Sequence, residues 1–266
     1  MIQHSIAIYC VNYHSYDSLN NYLVSIDKAM EKVKDTISVT VLVADNSVPA
    51  THVDYQPQYF TLRILPTNDN KGYFGAIGFL MKEFDPQEYY YSIISNVDVL
   101  LTDNFFLKLS NFKCDTAVGW VAPSIYSERH QFDWNPQAMQ RYSLRKLKIL
   151  RFLFKHPQLL QLKKKIFHEF KDIKKHSSGD IYAGHGSFII LPKVYFIKCG
   201  IINYPVFLFE EEIYLAEECR KHGLKVVYYP QLKVLDIGGV STGKIPSLQY
   251  CSHYIEALNY IISHYY

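Results

Sequence analysis

Apolar residues along the chain follow two alternating patterns. Short strand-like apolar runs alternate with segments in which apolar residues recur every three or four positions, which is typical of amphipathic helices. Predicted strands cover Ser5–Val11, Ile37–Ala44, Thr61–Leu65, Tyr90–Ser95, Ala117–Ala122, Gly186–Leu191 and Leu224–Tyr229. This alternation predicts an α/β fold with a mostly parallel central sheet flanked by helices.

The helical segments lie between and after these strands. Their predicted bounds are Tyr16–Lys34 with Ser15 as N-cap, Tyr73–Phe84, a helix starting near Asp103, Glu211–His222 ended by Gly223, and Pro246–Tyr266. Pro230 is expected to stop the last strand, because proline cannot donate to a sheet ladder. We expect a single domain over residues 1–266, with a basic helical insert at about 141–176.

Composition narrows the class of protein. The chain has 266 residues, a net charge of +3, 48% hydrophobic and 15% aromatic residues, which excludes disordered, collagen-like and coiled-coil proteins. Its five cysteines are an odd number and form no C-x-x-C, so they indicate a reducing cytoplasm rather than disulfides or a zinc site. The N-terminus does not resemble a signal peptide, and no apolar run is long enough to predict a membrane span.

Positive charge is concentrated in the insert. Residues 141–176 hold twelve lysines and arginines against two acids, so the remaining residues are acidic overall. Apolar residues interleave with these cations, and Pro157 divides the segment into two helical pieces. This pattern predicts either contact with an anionic membrane surface or a solvated face above a core-packing stripe. Nucleic acid is not an expected partner, because no nucleic-acid-binding motif accompanies the segment.

Acidic residues follow three of the predicted strands. Asp45 lies in the segment VADNS after the second strand, Asp98 in SNVDV after a buried strand, and Asp236 in LDIGG after the last apolar run. One such aspartate is most often a turn or cap residue, but ligands of open α/β sheets bind beyond the carboxyl ends of the strands. The three together therefore predict a binding site at this edge.

Two phosphate-binding motifs are excluded. The first strand is followed by Asn12–Ser15, which contains no glycine, so neither a nicotinamide site nor a sugar nucleotidyltransferase loop is indicated. The segment 238–244 has the G-x-x-x-x-G-K spacing, but Ile245 stands where a hydroxyl should bind Mg²⁺.

Six segments occur in a characteristic order along nearly the whole chain. They are VNYHSYDSLNNYLVSI, VADNS, NDNKGYFGAIGF, SNVD, FLFEEEIYLAEECRKHGLKVVYYP and LDIGGVS. In order and approximate spacing, the chain resembles family 2 glycosyltransferases with the GT-A fold, and looks most like their bacterial rhamnosyltransferase-like branch.

The resemblance implies a donor site and a metal. Asp98 matches the last acid of the family's D-x-D motif and would hold Mg²⁺ or Mn²⁺, while Asn96 stands at its first position. Asp45 would contact the nucleoside, and Asn70 and Gly72 would shape the nucleotide pocket. The implied donor is a UDP- or dTDP-sugar, and the implied acceptor is a glycan or polyprenol-linked chain at the cytoplasmic face of the membrane.

The resemblance also implies the catalytic groups. Glu212 matches the general base, with Glu211 as its neighbour, and His185 lies at the approach to the acceptor. Three positions depart from the family pattern: Glu212 replaces an aspartate, Glu218 stands where many relatives have arginine, and Asp236 replaces a histidine that some relatives use on the metal or diphosphate. Aspartate is a hard oxygen ligand for Mg²⁺ or Mn²⁺. We therefore expect an inverting, metal-dependent glycosyltransferase, with a non-catalytic nucleotide- or glycan-binding relative as the alternative.

Overall fold

The computed structural model describes residues 4–159, 176–238 and 247–266. Its ten strands form one sheet, and they are β1 (His4–Asn12), β2 (Ile37–Asp45), β3 (Thr61–Pro66), β4 (Tyr91–Asn96), β5 (Val99–Leu101), β6 (Val118–Ser127), β7 (Phe132–Asp133), β8 (Gly179–Ile181), β9 (Phe188–Pro192) and β10 (Lys225–Asp236). The main path through the sheet runs β3-β2-β1-β4-β9-β6-β10-β5, with β7 beside β6 and β8 beside β10.

Most of the sheet is parallel. Strands β3, β2, β1 and β4 pair in parallel, and β6 pairs with β10 in parallel. Strand β9 runs antiparallel between β4 and β6, so those two strands point the same way. The predicted α/β class with a mostly parallel sheet is confirmed, and the antiparallel β9 joins its two parallel halves.

Helices cover both faces of the sheet. They are α1 (Tyr16–Met30), α2 (Tyr73–Glu83), α3 (Phe105–Ser110), α4 (Leu144–Lys155), α5 (Lys193–Cys199), α6 (Glu211–Lys221) and α7 (Ser247–Tyr265). Alternate residues of β1 face opposite cores: Ile6 and Ile8 pack with α1 and α3, whereas Ala7 and Tyr9 pack with α2, α5, α6 and α7. This period of two is what a strand buried on both faces requires.

Three local predictions are wrong. Strand β10 does not stop at Pro230 but continues to Asp236, because the register against β6 shifts between Tyr229 and Lys233 and the proline falls within that irregularity. Helix α1 ends at Met30 rather than Lys34. Ser15 does not cap α1 with its side chain, which instead donates to the Tyr13 carbonyl.

The basic insert begins as predicted with a helix. Helix α4 ends at Lys155, and helical structure resumes at Pro157, so the predicted break is where the sequence placed it. Most of the second predicted piece, residues 160–175, lies outside the described residues. Among the described helices, none is both long and apolar enough to cross a membrane.

A buried ion pair joins the start of the insert to α6 and α7. The Glu217 carboxylate, fully buried, accepts hydrogen bonds from Arg141 at 2.7 and 3.0 Å and from Tyr182 at 2.6 Å. Arg141 also donates to the Tyr265 carbonyl at 2.8 Å. Burial alone would raise the pKa of Glu217, but these hydrogen bonds outweigh it and lower the pKa. The pair therefore holds α7 against α6 in its ionised state.

Candidate functional site

Asp45 lies at the carboxyl end of β2 within a preformed hydrogen-bond network. Its carboxylate accepts from the Asn12 amide at 3.0 Å, the Tyr16 hydroxyl at 2.9 Å and the Ser47 backbone N–H at 3.1 Å. Asn12 stands opposite Asp45 in the β1–β2 ladder, so parallel pairing alone brings these two side chains together. The network fixes the carboxylate, which is only 2% exposed, in one orientation.

Asn46 connects Asp45 to the turn before α2. Its amide donates to Asn70 Oδ1 at 3.2 Å and to the Gly72 carbonyl at 3.0 Å, and its Oδ1 accepts from the Thr67 hydroxyl at 2.8 Å. Asn70 and Gly72 are thus next to Asp45, as the resemblance implies. Asn46 was not predicted, although it directly follows Asp45 in the sequence.

Gly72 cannot be replaced without moving the backbone. Its φ is +73°, and a Cβ built at this position would lie 2.0 Å from the Phe207 carbonyl oxygen. The following residue, Tyr73, donates its backbone N–H to the same carbonyl at 3.4 Å. Glycine is therefore required for the close approach of α2 to the loop before α6.

The carboxyl ends of β4 and β10 bring Asp98 and Asp236 together. Asp236 pairs with Val99 in the β5–β10 ladder, and the Ile237 backbone N–H donates to the Asp98 carbonyl at 3.2 Å. Burial raises the pKa of Asp98, the negative charge of Asp236 raises it further, and a hydrogen bond from the Asn96 side chain opposes both effects. Two carboxylates held this close repel each other unless a proton or a cation lies between them.

Trp134 joins Asp236 to His185. Its indole N–H donates to Asp236 Oδ2 at 2.7 Å, and its ring stacks on the His185 ring with centroids 5.4 Å apart. His185 in turn accepts at Nδ1 from the Ser187 backbone N–H at 3.2 Å. The predicted metal residue and the predicted acceptor residue are therefore neighbours, and the residue between them was not predicted from sequence.

The acidic triplet, Glu210 to Glu212, lies at the start of α6 after an unusual turn. Phe209 and Glu210 have φ values of +76° and +60°, so two successive residues other than glycine adopt left-handed conformations. Glu211 is buried and accepts from the Phe209 backbone N–H at 2.9 Å. Glu212 is half-buried, and a Cβ built on Gly186 would lie 3.4 Å from its Oε2. Glu212 thus faces the loop that carries His185, whereas Glu211 braces the turn.

The charge of Glu212 affects the pKa of the two glutamates that precede it. Burial, followed by the charge of Glu212, raises the pKa of both Glu210 and Glu211 to about 8. Burial also raises the pKa of Glu212. The charge of Lys146, on α4, acts in the opposite direction on Glu210. A carboxyl with a raised pKa is a stronger base once ionised, which suits proton abstraction near neutral pH.

The charges of both Glu211 and Asp98 act on Tyr73. Its hydroxyl donates to the Gly186 carbonyl at 3.1 Å. Burial raises its pKa, and the charges of Glu211 and Asp98 raise it further. Tyr73 was predicted only as the start of a helix, because nothing local in the sequence indicates that the charges of Glu211 and Asp98 act on its hydroxyl.

The donor set at this edge suits a hard divalent cation. Within residues 4–159, 176–238 and 247–266, no group of three or more His, Cys, Asp or Glu side chains is arranged to hold a metal. Asp98 and Asp236 nevertheless provide two adjacent carboxylates. Mg²⁺ commonly binds through one or two carboxylates and completes its coordination with substrate phosphates and water. The residues present therefore fit a cation that binds together with a diphosphate.

Solved glycosyltransferase structures share this fold. GalNAc-T7 with UDP, GalNAc and Mn²⁺ gives a TM-score of 0.63 at 12% identity, over 97% of this chain and 48% of that one. The mannosyltransferase PcManGT from Pyrobaculum calidifontis with GDP-Man and Mn²⁺ gives 0.58 at 11% identity, over 99% and 73%. S. aureus TarS with UDP-GlcNAc gives 0.57 at 11% identity, over 91% and 61%.

These likenesses confirm the predicted GT-A fold. This chain spans about half the length of the GalNAc-T7 chain. No protein-family model and no curated protein matches it in sequence, so the rhamnosyltransferase-like branch stays a prediction.

Proposed function

We propose that this protein transfers a sugar from a nucleotide diphosphate donor to an acceptor hydroxyl with inversion at the anomeric carbon. The observation that carries the proposal is the placement of the Asp45 network, the Asp98–Asp236 pair and Glu212 around the carboxyl-end edge of one sheet. Glycosyltransferases of the same fold hold UDP or GDP sugars in their structures. The proposed donor is a UDP- or dTDP-sugar.

Asp45 binds the nucleoside in this proposal. Its carboxylate keeps lone pairs beyond those used by Asn12, Tyr16 and Ser47, and these can accept from a base N–H or ribose hydroxyl. Because the carboxylate is already oriented, little side-chain freedom is lost on binding. Asn70 and Gly72 form the adjoining wall.

Asp98 and Asp236 would hold the cation that binds with the diphosphate. A bound Mg²⁺ or Mn²⁺ supplies charge stabilisation to the leaving diphosphate. The chain contributes the two carboxylates, the Asn96 hydrogen bond to Asp98 and the Trp134 hydrogen bond to Asp236. Hydrogen bonds of this kind orient carboxylate ligands and tune their basicity.

Glu212 removes the proton from the acceptor hydroxyl. As the O–H bond breaks, the oxygen forms a bond to the anomeric carbon and the diphosphate leaves from the opposite side, which inverts the configuration. Glu211 acts as a positioning residue, since its carboxylate holds the Phe209–Glu210 turn that directs Glu212.

His185 and Trp134 provide the acceptor side. Their stacked rings present polar and apolar atoms next to the proposed base, which suits a sugar ring. The proposed acceptor is a glycan or polyprenol-linked chain, used in bacterial polysaccharide synthesis at the cytoplasmic face of the membrane. This localisation rests on the resemblance and on the free cysteines.

Nucleotide titration tests the donor site. The purified protein is titrated with UDP, dTDP and GDP, with and without Mn²⁺, beside Asp98→Asn. We expect one nucleotide to bind in a Mn²⁺-dependent manner and its affinity to fall about tenfold or more in the variant, because loss even of a residue that only orients a metal ligand costs about 10–100-fold. Asp180→Asn is the matched control, because that carboxylate is 63% exposed and pairs with Lys225. Absence of nucleotide binding by the unmodified protein would refute the proposal.

A further inference from the structure

Helix α4 has two faces of different character. On its inner face Leu147 is fully buried, and the Phe154 ring stacks on Tyr254 of α7 with centroids 4.3 Å apart. On its outer face Ile149 and Phe152 are 52% and 54% exposed, although both side chains are apolar. The core-packing stripe predicted for the insert is present, and a second apolar stripe points away from the protein.

Cations surround the outer apolar stripe. Helix α4 contains five lysines and arginines and no acid. Arg145, Lys148 and Lys155 lie three or four positions from Ile149 or Phe152 and are exposed. They therefore lie on the same side of the helix as these two apolar residues. Within the part of the chain that the structure describes, no acid forms an ion pair with any of these three cations. We name Arg145, Lys148, Ile149, Phe152 and Lys155 the outer face.

The outer face is a continuous surface. Arg145, Lys148, Ile149 and Phe152 line one open depression together with Leu144. A basic rim around protruding apolar side chains matches the chemistry of an anionic bilayer, in which headgroup phosphates attract the cations and the acyl boundary accepts the apolar groups. A nucleic-acid backbone would satisfy the cations, but it offers nothing to Ile149 or Phe152.

The outer face lies close to the proposed base. Phe154, on the opposite side of α4, stacks on Tyr254, and Tyr254 stacks on Phe209 with centroids 4.0 Å apart. Phe209 immediately precedes the acidic triplet, and the charge of Lys146 acts on Glu210. The thickness of α4, about 10 Å, and these two ring contacts therefore separate the outer face from the turn that precedes Glu212.

We infer that the outer face of α4 docks the protein on an anionic lipid surface. The docking surface is argued from α4 alone. Its use for presenting a lipid-linked acceptor to Glu212 rests on the proposed function.

Vesicle co-sedimentation tests the inference with the full chain. We expect binding to vesicles of phosphatidylcholine and phosphatidylglycerol in equal amounts, and little binding to phosphatidylcholine alone. Ile149→Ser with Phe152→Ser should weaken binding about tenfold or more, and so should Arg145→Gln with Lys148→Gln, because the surface uses both burial and charge. Ile197→Ser is the matched control, since Ile197 is 62% exposed on α5 and should leave binding unchanged.

Three results would overturn the inference. They are absence of binding to anionic vesicles, binding that the apolar double variant does not weaken, and binding to single-stranded RNA that exceeds vesicle binding and depends on the same cations. All the substituted side chains are exposed, so the variants should keep the melting temperature of the unmodified protein.

Mn²⁺-dependent nucleotide binding, measured on the same preparations, separates the two proposals. The apolar double variant should bind nucleotide as the unmodified protein does, because the outer face contains none of the donor-site residues. Vesicle binding without nucleotide binding would retain the docking surface and refute the proposed function. Nucleotide binding without vesicle binding would retain the proposed function and refute the docking surface.

Discussion

The Trp134 indole N–H donates to the Asp236 carboxylate at 2.7 Å across 102 residues of sequence. The same indole ring stacks on His185, so one side chain orients a proposed metal ligand and supports the proposed acceptor side. The contact couples the two halves of the site, which are also joined by the Asn96 backbone N–H donating to the Ser187 carbonyl at 2.9 Å.

Trp134→Phe should weaken the metal site while keeping the aromatic stack. The change removes the indole N–H, so Asp236 loses a hydrogen bond that orients it. We expect about a tenfold loss of Mn²⁺ affinity in the presence of nucleotide, the lower end of the range for such partners. The measurement is a Mn²⁺ titration at fixed nucleotide. Trp134→Phe with unchanged Mn²⁺ affinity would show that Asp236 does not hold the metal.

Asp45→Ala should reduce both nucleotide affinity and stability. The change leaves the Asn12 amide, the Tyr16 hydroxyl and the Ser47 N–H without their acceptor. We expect a loss of about 1–3 kcal/mol in the free energy of unfolding, measured by urea denaturation. Tyr16→Phe is the control, because it removes the two hydrogen bonds of the Tyr16 hydroxyl, to Asp45 and from the Thr51 backbone N–H, but leaves the carboxylate. If both variants bind nucleotide equally, Asp45 does not contact the ligand.

Glu212→Gln should reduce turnover about 10²–10⁴-fold without changing nucleotide affinity, because it removes the proposed base and keeps the size of the side chain. Glu211→Gln should keep most of the turnover, since a glutamine oxygen can still accept from the Phe209 N–H. The measurement is release of nucleotide diphosphate in the presence of acceptor. Equal losses in the two variants would contradict the assignment, and no turnover in the unmodified protein would favour the non-catalytic alternative.

Stability should fall as the pH rises from about 5 to about 8. The pKa of Glu210 and Glu211 is raised to about 8 in the folded chain, so the native state retains protons that the unfolded state releases. Each such group lowers the free energy of unfolding by at most about 1.4 kcal/mol per pH unit in this window. Urea denaturation at pH 5 and pH 8 measures the difference, and Glu211→Gln should make it smaller. A free energy of unfolding that rises over this window would refute the expectation.

Local periodicity was sufficient to predict most of the sheet. The alternation around Ile6 and Ile8 and the apolar run before Asp98 predict β1 and β4 because each strand is buried on both faces. The same reasoning failed at Pro230, where pairing with β6 continues beyond an irregularity that no local rule reveals. The antiparallel direction of β9 could not be predicted either, because pairing direction depends on residues distant in sequence.

The candidate site was predictable where it follows strand ends. Asp45, Asn96 and Asp236 lie at the carboxyl ends of β2, β4 and β10, which all run in the same direction, so topology alone gathers them at one edge of the sheet. Trp134 and Tyr73 were missed because their partners come from other elements and carry no motif. Asn46 was missed because an asparagine after an aspartate is typical of a turn, and only the folded chain shows its hydrogen bonds to Asn70 and Gly72.

The turn at Phe209 and Glu210 has a consequence for laboratory evolution. Each left-handed residue with a side chain costs about 1–2 kcal/mol, and glycine would remove that cost. Selection for heat resistance alone should therefore enrich Glu210→Gly, which frees the backbone that sets the direction of α6. Such clones would gain thermal stability while losing the proposed activity, so directed evolution of this protein needs a functional screen at every round.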